Sequence, residues 1–397
     1  MFSRFLFVFG VQVQAVIMGW QMYELTHDPL KLGLIGLAAA LPALSMALFA
    51  GWIIDHFNPL RIYQGVVAIS VGSVMIAWDA KDPNQLYLAA IMTGLVRSFA
   101  SPAINSLVPR LVSREEIRKS SAFTSTAFQM ANVIGPGIAG VLMGIRGYSF
   151  PYLFALSSLV LASLVLLTVE YQHAANIGPL QKIKSSRLDE LLLGVRYVSK
   201  HPLLLSAMSL DMFAVLFGGV TALLPVYAAE VLMVGPQGLG WLRAAPAFGA
   251  ICMGTFLIRR PIGSRAGTAL LGSVLGFGLC ILVFAVSKNY WLSLSVLAVS
   301  GALDSVSMVV RGAIVQLCSP ENMRGRIAAV NSIFIGSSNE IGEFESGVSA
   351  KILGTVPSVL FGGAMTLLTV GIVFWKAKTL RSLDLRQLSD KTHGEMI

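Results

Sequence analysis

Residues 331–347, "NSIFIGSSNEIGEFESG", set three carboxylates, Glu340, Glu343 and Glu345, among small and apolar residues. At the centre of a membrane helix each ionised acid costs roughly 2.5–3.5 kcal/mol even on the lenient insertion scale, so such a trio cannot face lipid. It needs water, a partner or a proton. Two chemistries use carboxylates held in this way. One is an ion pair that neutralises a buried base; the other is a coupling site that takes a proton facing one side and releases it facing the other. Asp211, Asp304, Glu340 and Glu343 are the candidate proton carriers. Glu340 and Glu343 lie about 60° apart on one helical face, whereas Glu345 points away from Glu343 and is read as structural. Arg97, Arg243, Arg311 and Lys351 supply intramembrane bases, so neutral pairing stands beside proton coupling as an alternative.

The elements that must position these groups are membrane helices. Hydrophobic residues make up 55% of the 397 residues and charged residues 12%, against about 25% charged in a soluble domain, and the mean hydropathy is +0.74. Apolar stretches of about 20 residues separated by turn signals predict twelve spans, numbered in order over residues 3–25, 32–54, 62–80, 86–108, 120–145, 149–170, 203–229, 237–258, 267–287, 290–312, 327–350 and 355–375. The N-terminal one is too long for a removable signal peptide and lacks a cleavage site. Basic residues collect in alternate loops, and the opposite side receives only Lys31, Lys81, Arg146 and Lys288. This asymmetry predicts that both termini are cytoplasmic. It also removes the nucleic-acid reading of a net charge of +9, because the charge is spread over every inner loop rather than one folded face. Cys252, Cys280 and Cys318 have no zinc or disulfide spacing, and all five histidines fall in predicted loops or tails, so no metal site is expected. No cofactor is expected either.

The predicted organisation is an N-terminal six-helix bundle over 1–170, a linker over 171–202, a second six-helix bundle over 203–376, and a polar cytoplasmic tail over 377–397. Leu188, Leu191, Leu192, Val195 and Val198 of the linker recur at helical spacing beside Arg187, Arg196 and Lys200. That pattern fits a helix lying on the membrane surface, and equally a solvated connector. "LVSREEIRKSSA" (111–122) aligns without gaps on "LCSPENMRGRIA" (317–328), an internal repeat at an offset of 206 residues that sets Gly135-Pro136-Gly137 opposite Ile341-Gly342-Glu343. Two parallel repeats related by an axis along the membrane normal are a transporter architecture with its substrate site between the halves.

Polar residues three, four or seven apart share a helical face. Span one has Gln14 and Gln21; span four has Arg97, Ser101 and Asn105; span seven has Asp211; span ten has Ser300, Asp304, Ser307 and Arg311. Lipid would penalise each stripe, so the four spans are expected to face a common wet cavity that holds cargo. The alternative for the glutamines is bridging between neighbouring helices.

This arrangement resembles the major facilitator superfamily, whose corresponding helices line a central cavity. "GWIIDHFNPLRI" is similar to that family's loop between helices two and three, with Gly51, Asp55 and Arg61 retained and His56, Asn58 and Pro59 where arginines are common. "NVIGPGIAG" is similar to the span-five motif of its proton-driven exporters, with Gly135, Gly137 and Gly140 for close helix approach and Pro136 for a bend. The resemblance implies a gating role for Gly51, Asp55, Arg61, Gly135, Pro136, Gly137 and Gly140. As text "GPGIAG" also matches a dinucleotide-binding pattern, but no strand precedes it and no acid follows at about 20 positions. "SFASPAINSLVPRLV", "LRAAPAFGA" and "MRGRIAAVNSIFIGSSNEIGEFESG" resemble the enterobactin-exporter branch of bacterial efflux proteins along nearly the whole chain.

The resemblance therefore implies an all-α integral membrane protein, twelve transmembrane helices in two pseudo-symmetric six-helix bundles, in a bacterial inner membrane. It implies a secondary exporter of a siderophore-like or drug-like small molecule, driven by proton antiport, with cargo, protons and membrane lipid as partners. A symporter importing a metabolite and a membrane receptor are the alternatives. An enzyme is not expected: no phosphate-binding loop and no nucleophile or His/Asp motif occurs.

Overall fold

The computed structural model describes residues 2–111, 116–169, 187–320 and 323–386. Its helices run α1 Phe2–Thr26, α2 Pro29–His56, α3 Pro59–Trp78, α4 Pro83–Leu111, α5 Ile117–Arg146, α6 Ser149–Leu167, α7 Arg187–Lys200 and α8 Pro202–Gly218. A 3-10 turn Thr221–Leu223, the short α9 Leu224–Val226 and a π-turn Tyr227–Val231 continue the line of α8. Then come α10 Gly235–Arg259, α11 Ala266–Val286, α12 Tyr290–Cys318, α13 Arg324–Leu353, α14 Thr355–Lys376 and the four-residue α15 Lys378–Arg381.

Local chemistry explains where these helices begin and end. Asp28-Pro29, Asn58-Pro59 and His201-Pro202 each place a side-chain acceptor at the N-cap and proline at the first helical position, where its missing N–H costs nothing. Asp28 Oδ1 accepts from the Leu30 amide at 3.1 Å, Asn58 Oδ1 from Leu60 at 2.9 Å, and His201 Nδ1 from Leu204 at 3.4 Å. Burial lowers the pKa of His201, which favours the neutral ring whose bare Nδ1 can accept. α5 and α13 both stop at glycines of positive φ, Gly147 (φ 66°, ψ −161°) and Gly354 (φ 93°, ψ 160°), a backbone conformation open essentially to glycine alone.

Eleven spans among the described residues are long and apolar enough to cross a bilayer, with Pro202–Val231 forming one of them. The expected twelfth is α13. At 30 residues it is long enough, and its glutamates keep it out of a hydropathy count. Outward side chains such as Leu161, Leu164, Leu279, Val283 and Leu368 are exposed, a surface that hydrocarbon covers and water would not tolerate.

The described residues form two compact units, 1–184 with 222–244, and 185–221 with 245–397. Residues 222–244, which follow the expected second-bundle boundary in sequence, thus pack with the first. In the first unit α1 lies against α5 and α6, and α4 lies against α2 and α3. In the second, α8 lies between α13 and α14, α11 packs on α12 and α14, and α7 braces α13. Val198, Leu204, Leu270, Ile314, Ile327 and Leu380 belong to one buried apolar cluster that joins α7 and α15 to the spans.

The internal repeat is visible in helix lengths and contacts. α4 (83–111) and α12 (290–318) are both 29 residues, α5 (117–146) and α13 (324–353) both 30, each pair displaced by 207. Close backbone approaches agree: Gly94 abuts the Ala39 carbonyl as Gly301 abuts that of Pro246, and Gly135 faces Phe9 O as Gly342 faces Leu216 O. The gap-free loop alignment at 206 was therefore one residue out of register with the helices. Gly342, not Ile341, is the counterpart of Gly135, and Glu343 stands where the first half has Pro136.

Candidate functional site

In the second unit α8 and α12 bring four of the predicted site residues together. Asp211 and Arg311, both about 4% exposed, form an ion pair through Oδ2 and Nη1. Ser307 Oγ donates to the other oxygen, Asp211 Oδ1, at 3.4 Å. Asp304, one turn before Ser307, is half-buried on the wall of a narrow cavity. That cavity is lined by Asp211, Ser307 and Asp304 with Ser273, Phe277 and Leu303. It has room for roughly one water molecule.

The two acids differ in electrostatic state. Asp211 faces a guanidinium and a hydroxyl, which together answer its charge. Asp304 has neither a hydrogen bond nor an ion pair among the described residues. At the repeat offset it is the counterpart of Arg97 on α4, so the two halves carry opposite charges at one structural position. Arg97, Ser101 and Asn105 share an exposed face of α4. Ser300 is buried and donates to its own helix at Leu297 O, 2.7 Å away.

The glutamines of α1 sit elsewhere. Gln14 Nε2 donates to Ser73 Oγ at 2.7 Å, and Gln21 Nε2 to Ala80 O at 3.1 Å while its Oε1 accepts from Tyr152 Oη at 2.7 Å. Both are buried, 2% and 6% exposed, and their amides join α1 to α3 and α6. Helix bridging, the alternative carried from the sequence, describes them.

The acid-bearing stretch of α13 has a packing function that its acids concealed. The line of α8 is broken at Gly219 and Val220, which frees backbone carbonyls, and Ser346 Oγ donates to Gly219 O at 2.9 Å. An added Cβ at Gly342 would come within 2.7 Å of Leu216 O, so α8 approaches there only because no side chain intervenes. Glu340 is buried, Glu343 is half-buried, and Glu345 is hydrogen-bonded to Ser349 one turn on.

In the first unit the glycines of α5 meet residues 235–244. A Cβ at Gly140 would lie 2.6 Å from Gly240 Cα, and one at Gly137 3.5 Å from the Trp241 ring. Tyr23 Oη donates to Glu230 Oε1 at 2.8 Å, and Arg243 Nη1 to Ala15 O at 2.8 Å. Gly51 and Arg61 lie at the end of α2 and in the first turn of α3, with Arg61 exposed. The Asp55 side chain lies outside what the structure describes.

Sequence reasoning missed Ser273, Phe277, Ser346, Tyr23 and Glu230. Ser273 is a single hydroxyl in an apolar run, and nothing in its spacing points at Asp304. For Ser346, adjacent Gly218 and Gly219 on span seven were the available signal of a broken helix.

Among the described residues no group of three or more His, Cys, Asp or Glu is placed to hold a metal. The site is instead made of an ion pair, a separate carboxylate and a pocket of water's size inside a helical membrane bundle. Comparison with known proteins agrees with that frame. A family model described as Major Facilitator Superfamily matches residues 1–343. The chain is 25% identical over 377 residues to the enterobactin exporter EntS of Escherichia coli, spanning 94% of this chain and 89% of that protein, and equally to its counterpart in Escherichia fergusonii. Its fold is similar to a bacterial homologue of the human lysosomal transporter Spinster, solved inward-facing and occupied (TM-score 0.75, 12% identity, 95% of this chain and 96% of that one). It is also similar to a POT family transporter in complex with 5-aminolevulinic acid (TM-score 0.76, 12% identity, 96% and 95%). The chain belongs to the Major Facilitator Superfamily and is a multi-pass membrane transporter, not an enzyme.

Proposed function

We propose that the protein is a secondary active exporter of a small amphiphilic molecule, exchanging cargo for protons by alternating access. The observation that carries this reading is Asp304: an intramembrane carboxylate with no partner among the described residues, beside an acid whose partner is already in place. An ionised acid so placed is costly, and a proton neutralises it without any rearrangement of its neighbours. Release then requires water to reach the pocket, which opening of one side of the molecule supplies. Asp211–Arg311 holds α8 against α12 while Asp304 changes its charge. Arg97, Ser101 and Asn105 offer cargo a cation and two hydrogen-bonding groups on an exposed face of α4. The glycine ridge Gly135, Gly137 and Gly140 with Pro136, and the α2–α3 junction flanked by Gly51, Asp55 and Arg61, serve as gating contacts, and both termini lie on the basic, cytoplasmic side. Exchange in the outward direction is supported by the likeness to an enterobactin exporter at 25% identity, and the cargo class, siderophore-like or drug-like, by the same likeness.

Inside-out vesicles test it, with enterobactin and an amphiphilic dye as cargo probes. Acidifying the lumen is expected to drive probe uptake, a protonophore to abolish it, and Asp304→Asn to lose gradient-driven uptake while keeping exchange of probe for probe. Uptake that is indifferent to both the protonophore and the Asp304→Asn change would overturn proton coupling.

A further inference from the structure

α7 has two faces. On one, an added Cβ at Gly194 would lie 3.0 Å from the Arg326 carbonyl oxygen of α13, Val198 enters the second unit's apolar cluster, and Tyr197 Oη donates to Cys318 O at 3.1 Å. On the other, Leu192, Leu193 and Val195 are 61%, 46% and 41% exposed, interleaved with exposed Arg196 and Lys200. A helical wheel puts Leu192, Arg196 and Lys200 within about 80° of arc. A purely apolar face would match the hydrocarbon layer and a purely charged one would match water. Leucines beneath cations match the level where acyl chains give way to headgroup phosphates. The depth of the helix is set covalently, since Lys200 stands two residues before Pro202, the first residue of an apolar span. The chain around this end of the unit is cationic as well: Arg259, Arg260, Arg324 and Lys376 are exposed, and Trp375 beside Lys376 is 78% exposed, as an interfacial anchor would be.

We propose that this face of α7 is a binding surface for anionic phospholipid, with Leu192 and Leu193 in the acyl layer and Arg196 and Lys200 on headgroup phosphates. Tyr197 ties α7 to the last residue of α12, the helix that carries Asp304, Ser307 and Arg311. Lipid held on one face of α7 therefore steadies the end of the helix that carries the site.

The test places an environment-sensitive fluorophore on Leu192→Cys, with the three native cysteines replaced by serine, in the full chain in nanodiscs of phosphatidylcholine with or without phosphatidylglycerol. Expected are a blue-shifted probe, quenching by lipids spin-labelled near the headgroup, and deeper quenching with phosphatidylglycerol. Arg196→Gln and Lys200→Gln should each weaken that preference for the anionic lipid by about fivefold. A probe reached by aqueous quencher in both lipid mixtures would overturn the proposal. So would a probe shielded from lipid and water alike, which would mean that a protein segment covers the face.

Discussion

Without Arg311, Asp211 would be left as a buried carboxylate facing one serine hydroxyl. Breaking a buried pair by removing one partner costs roughly 3–5 kcal/mol, whereas replacing both partners by neutral groups is far milder. Arg311→Gln is therefore expected to lower the thermal midpoint in detergent strongly, and Asp211→Asn combined with Arg311→Gln to recover most of the loss. Should the double variant be as unstable as the single one, the pair is not what Arg311 is for. At this scale the sequence was legible in kind and ambiguous in direction. A polar stripe on a membrane helix says that the face does not meet lipid, but a wet cavity and an interhelical partner satisfy that demand equally. Gln14 and Gln21, seven apart on α1, took the interhelical option through Ser73, Ala80 and Tyr152, while the α4 face with Arg97, Ser101 and Asn105 is exposed.

The elements are joined by backbone approaches that allow no side chain, and the repeat preserves the positions of those approaches. Gly342 lets α13 touch the last turns of α8, next to the break that Ser346 bridges. Gly336 on the same helix has nothing within 4 Å of an added Cβ. The two positions make a controlled pair. Gly342→Val is expected to cost roughly 1–3 kcal/mol through overpacking, and Gly336→Ala to stabilise by roughly 0.4–1 kcal/mol by restricting the unfolded chain. Unfolding in detergent would read both; equal tolerance at the two sites would mean that α8 and α13 are not in backbone contact. Helix existence was legible here because hydropathy over about 20 residues is a strong signal, whereas the caps that fix the starts, such as Asn58-Pro59, emerged with the structure. The register of the repeat was not legible. Loop residues similar in charge align comfortably one position off, and the helix bounds together with the glycine contacts fix the offset at 207.

For the whole molecule, the division of the chain bears on how transport would proceed. Within the described residues 187–320 the chain passes between its two units near 221 and 244. The first of these coincides with the broken line of α8 at 219–220, and the other lies beside Pro246 within α10. Helix defects of these kinds are where bending concentrates. On the alternating-access cycle proposed above, residues 222–244, packed here on α1 and α5, separate from them in the opposite state. The contact to hold is Tyr23 with Glu230, 2.8 Å apart and 207 residues apart in sequence, the repeat offset itself. Tyr23→Cys with Glu230→Cys, joined by a short bifunctional thiol reagent that reducing agent can cleave, should then arrest transport to below roughly a tenth of its rate, as locking a gating contact does. Cleavage should restore it, and either single variant treated alike should stay active. Transport continuing at full rate through the intact cross-link would mean that residues 222–244 travel with the first unit throughout the cycle, and the moving boundary would then have to lie elsewhere in the chain.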